Sequence, residues 1–198
     1  MKRVLYTFIF SLLIITNVTS QSSNTKKADK YFNELSYVKA AEAYQIAVEK
    51  DSSAYVLQRL ADSYYFNSKV AKASEWYGKL FELHEASNID AEYFFKYAQS
   101  LRGVGKFEES NQWMKKFRDK SKEDARGQNF SNDEMSVESL KIENSSFTIK
   151  NVEGINTPRQ DYGVAFYGDD IVFASVKEER NFVKRKHAWN SKGFLDVF

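Results

Sequence analysis

Between residues 28 and 117 apolar side chains recur at spacings of three and four, the period of a helix with one buried face. Pro is absent from this stretch and Gly occurs only at 78, 103 and 105. The pattern predicts six helices, over 24–34, 37–50, 54–66, 70–84, 90–103 and 107–119. Residues 118–146 are polar and charged, and Ser131-Asn-Asp-Glu134 within them has the form of a capping box, predicting a short helix to about Ile142. From Phe147 the pattern turns to β-type runs. Phe147–Val152, Tyr162–Phe166 and Ile171–Ser175 read as strands, separated by Gly154, Pro158 and the turn Gly168-Asp169-Asp170. The chain is therefore mainly α, helical over 21–142, with a short β segment over 143–198.

The six helices repeat in pairs. Tyr31, Tyr37, Ala40, Tyr44 and Ala47 align with Tyr64, Val70, Ala73, Tyr77 and Leu80, 33 residues on. A further 37 residues bring Leu101, Phe107, Ser110, Met114 and Phe117. Ala28, Ala61 and Ala98 share one position, three residues before the first of each set. A small residue there lets two helix axes approach, and the large ones fill the groove between neighbouring pairs. This pattern resembles the tetratricopeptide repeat, best in LADSYYFNSKVAKASEWYGKL. It departs from it at Ser52 and Glu85, where Pro is usual, at Lys27, where a large apolar residue is usual, and at Ser110 and Phe117, where Ala is usual. A plain array of helical hairpins has the same period.

The resemblance implies a groove lined by the first helix of each pair. Mapped onto this chain, its positions are Phe32, Asp62, Tyr65, Phe66, Phe95, Gln99 and Arg102. Two roles fit these side chains. They anchor a peptide or protein partner, or they pack against a following domain and one another.

The first twenty residues change the picture of where the chain works. Lys2 and Arg3 precede an apolar stretch from Val4 to Ile15, and Val18 and Ser20 sit at −3 and −1 of a cleavage site before Gln21. That stretch is shorter than the roughly 20 apolar residues needed to span a bilayer. Residues 1–20 read as a signal peptide, with an uncleaved anchor or a buried strand as the other readings. The predicted product is exported, with no transmembrane segment after cleavage and, lacking Cys, no lipoprotein anchor. Losing Lys2 and Arg3 brings the 29 basic residues level with the 27 acidic ones, so no nucleic-acid partner is expected.

The β segment has its own likeness. Gln160-Asp161-Tyr162-Gly163, Phe166, Gly168, Ile171–Ser175, Trp189 and Leu195–Phe198 resemble the opening blade of a WD-type β-propeller, although Val164 and Val176-Lys177 depart from its usual residues. A propeller takes at least four blades of about 40 residues, so the chain is expected to be a fragment of a longer protein or a truncated product. Signal peptide, tetratricopeptide repeats and blade, in that order, resemble the N-terminal part of OmpA-family envelope proteins of Bacteroidetes-type bacteria. That resemblance implies a non-enzymatic periplasmic scaffold at the outer membrane, binding envelope proteins. It also implies a link between an envelope or type IX secretion machine and the cell wall, with peptidoglycan held only by downstream domains. The alternative is a peptide- or glycan-binding module that serves an envelope transporter. A third reading, from the enzyme class, is a hydrolase formed by a propeller completed downstream.

Candidate chemistry is sparse. There is no Cys, and His84 and His187 are the only imidazoles, which excludes thiolate catalysis and Cys-bearing zinc sites and leaves little for a His-rich one. Glu42, Glu49 and Glu75 are expected on solvated faces, Asp169-Asp170 in a hairpin turn, His84 near the carbonyls of a helix end, and His187 in a basic loop. Lys177–Lys186 offers a basic run to anionic lipid or polysaccharide, blunted by Glu178 and Glu179. No Ser-His-Asp order, P-loop or dinucleotide fingerprint is present. Neither an enzyme nor a cofactor is expected.

Overall fold

In a computed structural model, the residues described are 23–130, 148, 150–158, 160–176 and 185–197. The leader, the capping-box segment and most of the basic run lie outside them. Six helices form three antiparallel hairpins: α1 (Ser23–Asn33) with α2 (Tyr37–Val48), α3 (Ala54–Phe66) with α4 (Val70–Leu83), and α5 (Ala91–Gly103) with α6 (Phe107–Lys120). A 3₁₀ turn, Ala86–Asn88, bridges α4 and α5, and a one-turn helix α7 (Ala125–Gln128) follows α6. Every predicted helix boundary within this array falls within two residues of the observed one.

The local chemistry of each hairpin explains why it repeats. Two of the first helices are capped by a side chain: Ser53 Oγ accepts from Val56 N at 3.5 Å, and Asp90 Oδ1 from Glu92 N at 2.8 Å. The turn to the second helix uses the same bond each time, from Ser36 N to Tyr31 O, Lys69 N to Tyr64 O and Lys106 N to Leu101 O. One residue in each turn takes positive φ: Leu35 and Ser68 at 57° and Gly105 at 81°. Ala28, Ala61 and Ala98 have no exposed surface, as close helix crossing requires. Around them Tyr44, Leu57, Leu60, Tyr77, Leu80 and Leu101 are buried, each aliphatic side chain contributing about 1.5–3 kcal/mol.

The departures from the repeat pattern have physical reasons. Ser110 Oγ donates to the carbonyl of Ala98 at 2.8 Å, so the hydroxyl is satisfied inside the crossing. Phe117 is buried and packs on Phe95, ring centroids 5.4 Å apart. Lys27 stays exposed, its ammonium 5.9 Å from the ring of Tyr31 one turn on. Between the second and third pairs, Phe81, Phe94, Tyr97 and Trp113 make one aromatic cluster, Phe81 lying 4.3 Å from Trp113 and 4.8 Å from Phe94.

The β segment is an antiparallel sheet in the order β1 (Asp161–Tyr167), β2 (Asp170–Ser175), β3 (Asp196–Val197). Gly168 and Asp169 form the two-residue hairpin loop, Gly168 with φ of 64°. Gly163 and Val164 face the single residue Phe173, a bulge that Gly163 accommodates at φ of 71°. Asp161 accepts from Thr157 N at 2.6 Å and from the hydroxyls of Thr157 and Ser175, closing the strand's start. Phe173, Ser175 and Val176 are buried, whereas Val164, Phe166 and Tyr167 are exposed. Two expectations are corrected. The first run, Phe147–Val152, carries no strand at its described residues, and in the closing Leu195–Phe198 the strand covers Asp196 and Val197 and leaves Leu195 out, Phe198 lying outside the described residues.

Candidate functional site

Helix α1 touches α3 and α3 touches α5, so the first helices lie side by side and share an inner face. Its side chains make a sequence of repeating polar rungs. In the first pair Asp29 accepts from Tyr44 Oη of α2 and, at 2.8 Å, from Tyr55 Oη of α3. In the second pair Asp62 accepts from Tyr77 Oη of α4 at 2.6 Å and from Lys96 Nζ of α5 at 2.9 Å. Each Asp thus ties the second helix of its own pair to the first helix of the next. Gln99 and Met114 stand at the corresponding places in the third pair, and a thioether has no hydroxyl to give.

A cation sits on aromatic rings beside each of the two rungs, and a third lies at the far end of the face. The Arg59 guanidinium lies 4.6 Å from the ring of Phe32 and 5.5 Å from Tyr55. Lys96 Nζ lies 4.9 Å from Phe66 and 5.1 Å from Tyr93. The guanidinium of Arg126, from α7, lies 4.3 Å from Phe95 and grips both oxygens of Glu92 at 2.7 and 3.2 Å. Such stacking keeps positive charge on an otherwise apolar wall. The electrostatics follow. Burial, then the Asp62 carboxylate, push Tyr93 up to about 12 and Tyr77 well above the ordinary tyrosine value. Burial and the bond to Asp29 do the same for Tyr44. Hydrogen bonds from Arg126 hold the Asp124 carboxyl below its usual range.

The seven predicted groove residues fall into distinct settings. Phe32 is buried, under Arg59 and edge-on to Tyr37, Tyr44 and Phe66. Asp62 is buried in its rung. Tyr65 is half-buried, 5.6 Å from Phe66 and 6.3 Å from Tyr77. Phe66, also half-buried, joins Phe32 and Tyr37. Phe95 lies against Phe117 and Arg126. Gln99 and Arg102 are half-buried further along α5, Arg102 Nη2 donating to Asn111 Oδ1 at 3.3 Å. The structure therefore brings Phe32, Asp62, Tyr65 and Phe66 into one cluster, with Lys96 linking Asp62 to Phe66.

Asp29, Tyr55, Arg59, Tyr93, Lys96 and Arg126 belong to this face and are absent from the predicted set. A signal for some of them is in the sequence. Asp29 and Tyr44 are 15 residues apart, as are Asp62 and Tyr77, and Asp124-Ala125 repeats Asp90-Ala91 at a distance of 34. Asp124 caps α7 through Arg126 N at 2.8 Å, as Asp90 caps α5. The one-turn helix thus begins as the first helix of a further pair begins.

Among the residues set aside as catalytic, Glu42, Glu49 and Glu75 are exposed, and Asp169 lies in the hairpin loop. His84 is corrected: Nε2 lies 2.8 Å from the carbonyl oxygen of Ser52, in the loop between α2 and α3, instead of meeting the end of its own helix. His187 stacks on Phe194 at 3.8 Å. Among the described residues no group of three or more His, Cys, Asp or Glu is placed to hold a metal ion, and no helix is long and apolar enough to cross a membrane.

Solved structures similar to this chain include two TPR proteins. One is the C-terminal part of a TPR repeat-containing protein from Cytophaga hutchinsonii, at 23% identity and a TM-score of 0.45, covering 50% of this chain and 38% of that one. The other is the first TPR of Spaghetti (RPAP3) bound to the HSP90 peptide SRMEEVD, at 18% identity and a TM-score of 0.47, covering 54% and 82%. No family model matches the chain, and no curated protein does. The tetratricopeptide-type array is carried by the chain's own hairpins, their spacing and their crossing alanines.

Proposed function

We propose that the chain is a non-enzymatic protein–protein interaction module, working in the periplasm as part of an outer-membrane-associated, OmpA-family-like scaffold. The observation that carries the reading is the inner face itself. Tyr55, Tyr65, Tyr93 and Phe95 offer large apolar surfaces there that are not fully covered, beside the stacked cations Arg59, Lys96 and Arg126. Rigid aromatic side chains and arginine are the residue types that carry most of the energy in protein interfaces. The charged leader, its apolar run and Ser20-Gln21 support export.

The test replaces Tyr65 by a photo-cross-linking phenylalanine analogue in the native host, in wild-type and Phe95→Ala backgrounds. A discrete cross-linked protein band in the envelope fraction, weakened at least fivefold by Phe95→Ala while helical circular dichroism is unchanged, is the expected result. Cross-linking to no protein, with the chain in the envelope fraction, overturns the binding reading. Recovery of the chain from the cytoplasm alone overturns the location.

A further inference from the structure

We infer that Trp189 is the element that docks the β segment onto the seam between the first and second helical pairs, so that array and β segment behave as one body. The inference starts from an accounting of backbone acceptors. The last carbonyls of a helix have no partner within it. At the end of α3, Tyr64 O accepts from Lys69 N and Tyr65 O from Ser68 N, and the turn leaves Phe66 O over. The indole Nε1 of Trp189 donates to that oxygen at 2.8 Å, across 123 residues of sequence.

The ring is placed as well as the donor. It stands edge-on to Tyr37, the first residue of α2, with centroids 5.5 Å apart. Tyr37 in turn lies 5.2 Å from Phe66 and 5.3 Å from Phe32. Trp189 therefore ends an aromatic series that reaches the inner face. Asn190, the next residue, lines a cleft with Val38, Gln45, Tyr64 and Lys72. An indole suits this place because one side chain supplies both a donor and a broad apolar ring. Of the two roles open to the predicted groove aromatics, Phe66 has the second on this reading: its ring packs on Phe32 and Tyr37, and its carbonyl meets the β segment.

The experiment uses the full chain, labelled with ¹⁵N. Its three tryptophans give three indole resonances, which Trp76→Phe and Trp113→Phe assign. Expected are a Trp189 indole proton protected from exchange at least tenfold over a free indole, and one rotational correlation time shared by the array and residues 161–176. Trp189→Ala is expected to split that time in two and to shift the amides of Tyr37 and Phe66. Trp189→Phe, which keeps a ring and removes the donor, is expected to give the same amide shifts in part. An unprotected Trp189 indole, or Trp189→Ala with unchanged correlation times, overturns the inference. Should Trp189→Ala lose helical signal, wild-type indole exchange decides alone.

Discussion

Asp62 shows how much one side chain carries in this array. It is 3% exposed and holds Tyr77 and Lys96 at once, so its charge is repaid by a hydroxyl and an ammonium. Removing one member of a buried pair leaves the other without compensation, at about 3–5 kcal/mol. Asp62→Ala is expected to destabilise the chain by about 3 kcal/mol in urea unfolding. Glu92→Ala breaks the more exposed contact with Arg126 and is expected to cost under about 1 kcal/mol. Similar losses for the two would mean that burial does not distinguish the pairs. The sequence displays the Asp–Tyr half of each rung as a 15-residue spacing that occurs twice. It does not display Lys96, because the partner on the next helix depends on how two hairpins cross.

At the level of the element, the tight turns were legible for the reason they form. Gly and Pro are scarce, the apolar period stops for three residues, and each second helix starts at once. What is hidden is the cost of the turn. Leu35 and Ser68 take the left-handed conformation that Gly105 takes in the third pair, and a side chain there costs about 1–2 kcal/mol. Leu35→Gly is therefore expected to raise the melting temperature, the relieved strain outweighing the added chain entropy. Gly105→Ala is expected to lower stability by about 1 kcal/mol. A fall in melting temperature for Leu35→Gly would count against a strained turn. The described part of the run Phe147–Val152 is not a strand for a related reason: a short alternating run gains little as a strand unless a neighbour pairs with it.

For the molecule as a whole, the buried Tyr44 and Tyr77 and the half-buried Tyr93 set the response to alkali. Tyr44, Tyr77 and Tyr93 all titrate above the ordinary value of 10.0 in the folded chain, Tyr93 at about 12. A raised folded value means that stability is fully present below pH 10 and is lost as pH climbs towards the folded values, because the unfolded chain gives up its protons first. Helical circular dichroism is expected to fall as pH rises beyond about 10, together with the later part of the tyrosinate absorbance, since the exposed Tyr162 and Tyr167 lie outside the helical array. Complete tyrosinate absorbance with the helices intact would mean that the hydroxyls of Tyr44 and Tyr77 are not held by Asp29 and Asp62. The array itself was readable from the sequence, since each hairpin contacts only its neighbours and the period is local. The seat of Trp189 was not, since nothing within 123 residues of sequence points from the indole to Phe66.

The rungs also decide how such a chain yields under tension. A linear array peels one hairpin at a time, and its seams differ. The first is closed by a tyrosine hydroxyl on Asp29, the second by the buried clasp of Lys96 and Asp62, and the one beyond α6 by a half-exposed clasp of Arg126 and Glu92. Pulled from its ends, the chain sheds α7 and the first hairpin before the seam between the second and third hairpins parts. A tether built this way keeps its central grip after both flanks have let go.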